Sequence, residues 1–156
     1  MTVRQATIAD LEYLCMEAGR FFCESNFLRC MTFSPDNTVY SMAAMIESAD
    51  HEVLIIQHEG VDCGFAIWGY DKAWTVERIA IEILFYISPA YRRDGVAKRL
   101  LQESVNVCDN AGVKLMYSTS TAGFDDNGVN ARAYNMLFKS CGFNEMKNSA
   151  FLVRTM

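Results

Sequence analysis

Three features of the sequence predict a mixed α/β fold, a sheet with helices packed against it. Apolar runs alternate with period two over strand lengths, apolar stripes recur at helical spacing between them, and the elements follow in the order βααβββαβαββ. The 156 residues are 51% hydrophobic, enough for one domain with a sizeable core. No repeat, low-complexity segment or Pro/Gly/Ser-rich linker divides them, so residues 1–156 read as a single domain.

A strand over residues 3–6 precedes Thr7-Ile8-Ala9-Asp10, which resembles a capping box with Asp in place of the usual Glu or Gln. The helix that follows carries Leu11, Leu14, Cys15, Ala18, Phe21 and Phe22 on one face, as a core contact requires. Residues 24–33 mix polar and large apolar side chains without a period and read either as a binding loop or as a packed connection. Ser34-Pro35-Asp36 opens a second helix, because proline is tolerated in a first turn, and Val39, Met42, Ala43 and Ile46 form its stripe.

From residue 52 the period changes to two. Residues 52–57 and 61–70 form a hairpin about His58-Glu59-Gly60. A longer strand over residues 76–88 sets Ile79, Ile81, Ile83, Phe85 and Ile87 on one face and Glu82, Leu84 and Tyr86 on the other. Val96, Leu100, Leu101, Val105 and Cys108 then keep helical spacing over residues 95–111, and Gly112 stands where a left-handed C-terminal residue belongs. A strand (113–119), a polar loop (121–127), a helix (129–141) ended by Gly142-Phe143, and short strands at 143–146 and 150–154 complete the chain.

Nineteen acidic residues against 14 basic ones leave a formal net charge of -5, which argues against nucleic acid as a partner and tolerates a cationic substrate such as an amine. The six cysteines lie among apolar residues without a Cys-x-x-Cys pair and read as reduced thiols. No apolar stretch approaches the roughly 20 residues that span a bilayer, and no apolar signal core follows the basic N-terminal residue. A cytoplasmic protein without membrane partners is expected. His51 and His58 are isolated in sequence from other ligand types, and neither a metal-ligand spacing nor a Ser-His-Asp pattern stands out, so no metal is expected.

Residues 83–101 carry the most information, because an apolar strand breaks into a basic, glycine-containing turn that opens an amphipathic helix. Within it, Arg92-x-x-Gly95-x-Ala97 sets small residues where backbone must approach something closely, and the first helical N–H groups have no intrahelical partner. Those donors and the positive end of the helix dipole suit a phosphate or pyrophosphate.

Here the sequence resembles the GNAT superfamily of acyl-CoA-dependent N-acyltransferases, whose signature is Gln/Arg-x-x-Gly-x-Gly/Ala after a long central strand. Asp62-Cys63-Gly64-Phe65-Ala66-Ile67, Ile87-Ser88-Pro89 and Cys141-Gly142-Phe143 match further family features in the correct order. The resemblance covers nearly the whole chain. It implies a mostly antiparallel sheet whose central parallel pair splays apart, flanked by about four helices, with acetyl-CoA as co-substrate in the wedge. Backbone amides of Arg92, Arg93, Asp94, Gly95, Val96, Ala97 and Lys98 would hold its pyrophosphate, with positive charge from Arg92 and Arg93. Phe85, Tyr86 and Ile87 would pair with the pantetheine arm.

Acyl transfer to an amine needs a neutral nucleophile, so an amine with a pKa near ~10 must lose a proton. Glu82, on the central strand where family members often place an acid, is the leading general base, against a cross-strand carboxylate as the plain reading. Glu77 is a weaker candidate. Many family members protonate the leaving thiolate with a Tyr four residues before the Gly-Phe, but this chain has Phe138 there. Tyr134, one turn earlier on the same face, supplies a hydroxyl only if the site is arranged differently. Asn130 stands one residue out of register from a family Asn that contacts pantetheine, and helix capping is the simpler reading for it. The implied activity is acetyl transfer from acetyl-CoA to a primary amine of a small molecule or protein. The alternative is a coenzyme A-binding module without catalysis, and a homodimer is an expectation from the resemblance.

Overall fold

The computed structural model describes residues 1–25, 31–71, 76–119, 129–145 and 151–155. Its strands are β1 (Thr2–Gln5), β2 (His51–His58), β3 (Val61–Asp71), β4 (Arg78–Ile87), β5 (Val113–Thr119), β6 (Asn144–Glu145) and β7 (Phe151–Thr155). They form one sheet in the order β1-β2-β3-β4-β5-β7-β6. Among the described residues only β4 and β5 pair in parallel. The helices are α1 (Leu11–Glu24), α2 (Pro35–Glu47), α3 (Val96–Asn110) and α4 (Val129–Ser140). The expected element order and fold class stand, with ends shifted by one or two residues.

Local chemistry sets these boundaries. The Thr7 N–H and hydroxyl both donate to Asp10, and Arg4 binds the same carboxylate at 2.8 Å. Arg4's bonds hold Asp10 down at about 2, although burial opposes the shift. Ser34 Oγ accepts the Asn37 N–H at 3.4 Å, with Pro35 in the first turn of α2.

Two apolar layers sandwich the sheet. Leu14, Ala18, Met42, Val53, Ile55, Phe65, Ile67 and Tyr86 form the layer under α1 and α2. Leu54, Ile56, Trp68, Ala80, Leu100, Leu101, Met116, Phe138 and Phe143 form the other, under α3 and α4. At Gly64 a Cβ would meet the Tyr86 carbonyl oxygen at 2.7 Å, so only glycine lets β3 and β4 lie this close.

One expectation about β4 is corrected. Ile67 pairs with Leu84 and Trp68 with Glu82, so Ile83 is an extra residue, a β-bulge that reverses the phase of the strand. Upstream of it, Ala80 belongs to the α3/α4 layer. Beyond it, Phe85 and Ile87 belong to that layer, while Leu84 and Tyr86 face α1 and α2. Glu82 therefore shares a face with Phe85, not with Leu84 and Tyr86. Strict alternation fails because a single inserted residue flips every later side chain.

Candidate active site

The pairing of β4 with β5 runs from Arg78↔Val113 to Ile81↔Tyr117 and stops there. Beyond it β4 continues to Ile87 on β3 alone, while β5 continues to Thr119 on β7. The two strands thus part at Glu82 and Ser118, and the β4 edge from Glu82 to Ile87 has no strand partner among the described residues. An extended chain of amide groups can add itself along such an edge.

At the apex of this wedge three polar side chains meet. The Tyr134 hydroxyl donates to Glu82 Oε2 and is also hydrogen-bonded to Ser118 Oγ. Ser118 is fully buried, and Glu82 and Tyr134 are half-buried. Burial pushes the Glu82 carboxyl up to about 7, although the bonds from Ser118 and Tyr134 pull it down. Burial, reinforced by the neighbouring Glu82 charge, drives the Tyr134 phenol well above its ordinary value, so it keeps its proton. The pair therefore offers a carboxyl poised near neutrality and a hydroxyl that keeps its proton and directs it at that carboxyl.

Phe138 explains why the hydroxyl comes from one turn earlier. It is fully buried, with its ring against Phe85 at 5.8 Å and Phe143 at 4.9 Å. Tyr134 stacks on it at 4.2 Å with planes 22° apart. The aromatic at this position is thus a floor that orients Tyr134. Trp68, directly across from Glu82 in the register, is also fully buried, and its indole N–H has no partner among the described residues.

The turn before α3 lies at the far end of the same strand. Gly95 is the N-cap of α3 with φ of 73°, a conformation that disfavours side chains. No acidic residue occupies the first turn of this helix, and no side chain among the described residues caps it, so its first N–H groups stay open to an anion there. Arg93, Asp94 and Lys98 are exposed, Ala97 is half-buried, and Val96 is anchored in the core.

The side chain of Arg92 is committed elsewhere. Its Nε donates to the Ile87 carbonyl at 2.9 Å, and its Nη2 binds Glu24 at the end of α1. Tyr86 donates to the other oxygen of Glu24 at 2.6 Å. Tyr86 thus points into α1, and its backbone alone faces the wedge edge. Glu17, 1% exposed, accepts from Ser88 at 2.7 Å. Two carboxylates of α1 therefore fasten the residues on either side of the strand end.

Of the candidates read from the sequence, the fold brings Glu82 and Tyr134 into contact. Ser118, Glu17 and Glu24 were not among those candidates. Only Ser118 left a trace, as a polar residue two positions after Met116 on the inward face of its strand. Asn130 lies in α4 with its side chain outside the described residues, as do the loop at 121–127 and part of the 24–33 segment. Among the described residues no group of three or more His, Cys, Asp or Glu is arranged to hold a metal, and no helix is long and apolar enough to cross a membrane.

Comparison with known proteins gives this geometry a context. A family model described as an acetyltransferase (GNAT) domain matches residues 49–145. No protein of curated function matches the sequence. Among solved structures, an aminoglycoside N-acetyltransferase AAC(6')-Iy in complex with CoA is similar with a TM-score of 0.75 at 16% identity, covering 95% of this chain and 90% of that one. A ribosomal-protein-alanine N-acetyltransferase from Brucella melitensis gives a TM-score of 0.74 at 16% identity, covering 100% of both chains. A probable acetyltransferase gives 0.73 at 20% identity, covering 96% and 93%. At these identities the structures share the fold.

Proposed function

The chain belongs to the GNAT acetyltransferase family, and on that premise we propose that it transfers an acetyl group from acetyl-CoA to a primary amine by direct attack. One observation carries the proposal: the Tyr134 hydroxyl binds the Glu82 carboxyl at the point where β4 and β5 part. The similar structures include enzymes named for amine acceptors of two kinds, an aminoglycoside and a ribosomal protein's alanine. The acceptor here is accordingly a small molecule or a protein, in the cytoplasm.

In this reading the open N–H groups from Gly95 to Lys98 hold the pyrophosphate, and the free edge of β4 from Phe85 to Ile87 pairs with pantetheine. The bulge at Ile83 leaves backbone polar groups without a β3 partner, suited to polarising the thioester carbonyl. Glu82 removes the ammonium proton, because a base near neutrality is matched to that task. The amine nitrogen then bonds to the carbonyl carbon and the C–S bond breaks. Sulfur takes the Tyr134 proton, and Glu82 returns its proton to the phenolate across their hydrogen bond. Nitrogen gives up two protons on passing from ammonium to amide, one by way of Glu82 and Tyr134 to sulfur and one to solvent, and both residues end as they began.

The test is direct. Purified protein with acetyl-CoA and a panel of amines should release free thiol above background hydrolysis, in proportion to acetylated amine. Tight acetyl-CoA binding without thiol release for any amine would favour a coenzyme-binding module, the reading that Phe138 in the usual tyrosine position suggests.

A further inference from the structure

At the opposite end of the sheet, a separate cavity of about 310 Å³ opens between the start of β2, the end of β3, the start of β4 and the C-terminal ends of α2 and α3. Ala111, on its wall, is the C-cap of α3, so the helix of 15 residues sets it roughly 22 Å from the Gly95 turn at 1.5 Å per residue.

Two opposite charges line this cavity without meeting. Glu52 is 8% exposed and accepts from Gln5 Nε2 at 2.7 Å and from the Tyr70 hydroxyl at 3.5 Å. Both partners are neutral, and among the described residues Glu52 takes part in no ion pair. A buried carboxylate with only neutral partners carries an uncompensated desolvation cost. Arg78 lies over the Tyr70 ring at 4.1 Å and donates to the carbonyls of Ala49 and Ala111. Those bonds leave most of the five guanidinium donors open, and Arg78 too is in no ion pair among the described residues. The Nδ1 atom of His51, on the same wall, is buried without a partner among the described residues.

Tyr70 thus touches the anion with its hydroxyl and the cation with its ring face, and the cavity lies beside both. We propose that this cavity binds a small zwitterion of amino-acid size, its ammonium on Glu52 and its carboxylate on Arg78. A ligand of that class gives the buried carboxylate and the half-buried guanidinium one charge-assisted hydrogen bond each. A cation alone would leave Arg78 without its counter-charge, and an anion alone would leave Glu52. The volume lies at the lower end of small-molecule sites, which suits a ligand of few heavy atoms. Nothing in the proposal depends on acetyl transfer, since no residue of the wedge or of the α3 turn lines the cavity.

The experiment titrates the wild-type chain with free L-amino acids at millimolar concentrations, each beside its amine-only and acid-only counterparts, and follows the backbone amide NMR signals of His51, Tyr70 and Arg78. At least one amino acid should saturate these signals. Its two counterparts should bind about tenfold more weakly or worse. Glu52→Gln, which keeps the acceptor for Gln5, should weaken the same amino acid to a similar degree. The proposal is overturned if no amino acid gives a saturable shift in the folded wild-type protein, or if an amine-only or acid-only counterpart binds as well as the zwitterion.

Discussion

Glu82→Gln changes charge while nearly preserving shape, so it isolates the environment that suits Glu82 to be a base. The amide oxygen still accepts from Tyr134, and only the titration is lost. In the wild-type chain burial raises the carboxyl from 4.5 to about 7. A folded-state value above the unfolded one means that the native protein holds this proton more tightly. Its contribution is therefore fully present below pH 4.5 and is lost as pH rises through about 7. The gap corresponds to about 3 kcal/mol, reduced by whatever solvent reaches a half-buried side chain. Relative to wild type, the Gln variant should thus gain up to about 3 kcal/mol on going from acid to pH about 8. Urea denaturation of both proteins across that range measures the difference. A stability difference that stays constant with pH would mean that Glu82 titrates in the fold as it does in water, and would rule out the raised carboxyl.

Three further outcomes follow from the same geometry. Gly95→Val forces a β-branched residue to a φ of 73°, costing about 1–3 kcal/mol and weakening acetyl-CoA binding; a folded variant with unchanged affinity by calorimetry would remove the turn from its role. Tyr134→Phe keeps the stack on Phe138 but removes the proton donor, so kcat should fall about 10²-fold or more with KM for acetyl-CoA little changed; an unchanged kcat would dismiss Tyr134 as the acid. Ser118→Ala removes a bond that lowers the Glu82 value, so the acidic inflection of the pH–rate profile should move upward and stability should drop by about 1–3 kcal/mol. A profile superimposable on wild type would separate Ser118 from the pair.

What could be read from the sequence followed the range of each interaction. The α3 turn was legible because its requirements are local: Gly95 for a positive φ, Ala97 for close packing and a strand immediately before. Glu82 was legible as a residue but not as a geometry. Its face depends on the bulge at Ile83, and nothing in the run Ile81-Glu82-Ile83-Leu84 marks one residue as extra. Tyr134 was placed on the correct face of α4, but whether its hydroxyl reached anything depended on Phe138 filling the core below it. Ser118, Glu17 and Glu24 act across the sheet, between residues distant in the chain. Ser88 and Glu17 lie 2.7 Å apart although 71 positions separate them, and such a pairing leaves no local pattern.

The most direct measurement is a structure of the chain with acetyl-CoA bound. The pyrophosphate should lie on the backbone N–H groups of Gly95 to Lys98, with pantetheine paired along the β4 edge from Phe85 to Ile87 and the thioester beside Glu82 and Tyr134. A coenzyme seated elsewhere, or a thioester that reaches the wedge with the Tyr134 hydroxyl out of range of its sulfur, would contradict this placement.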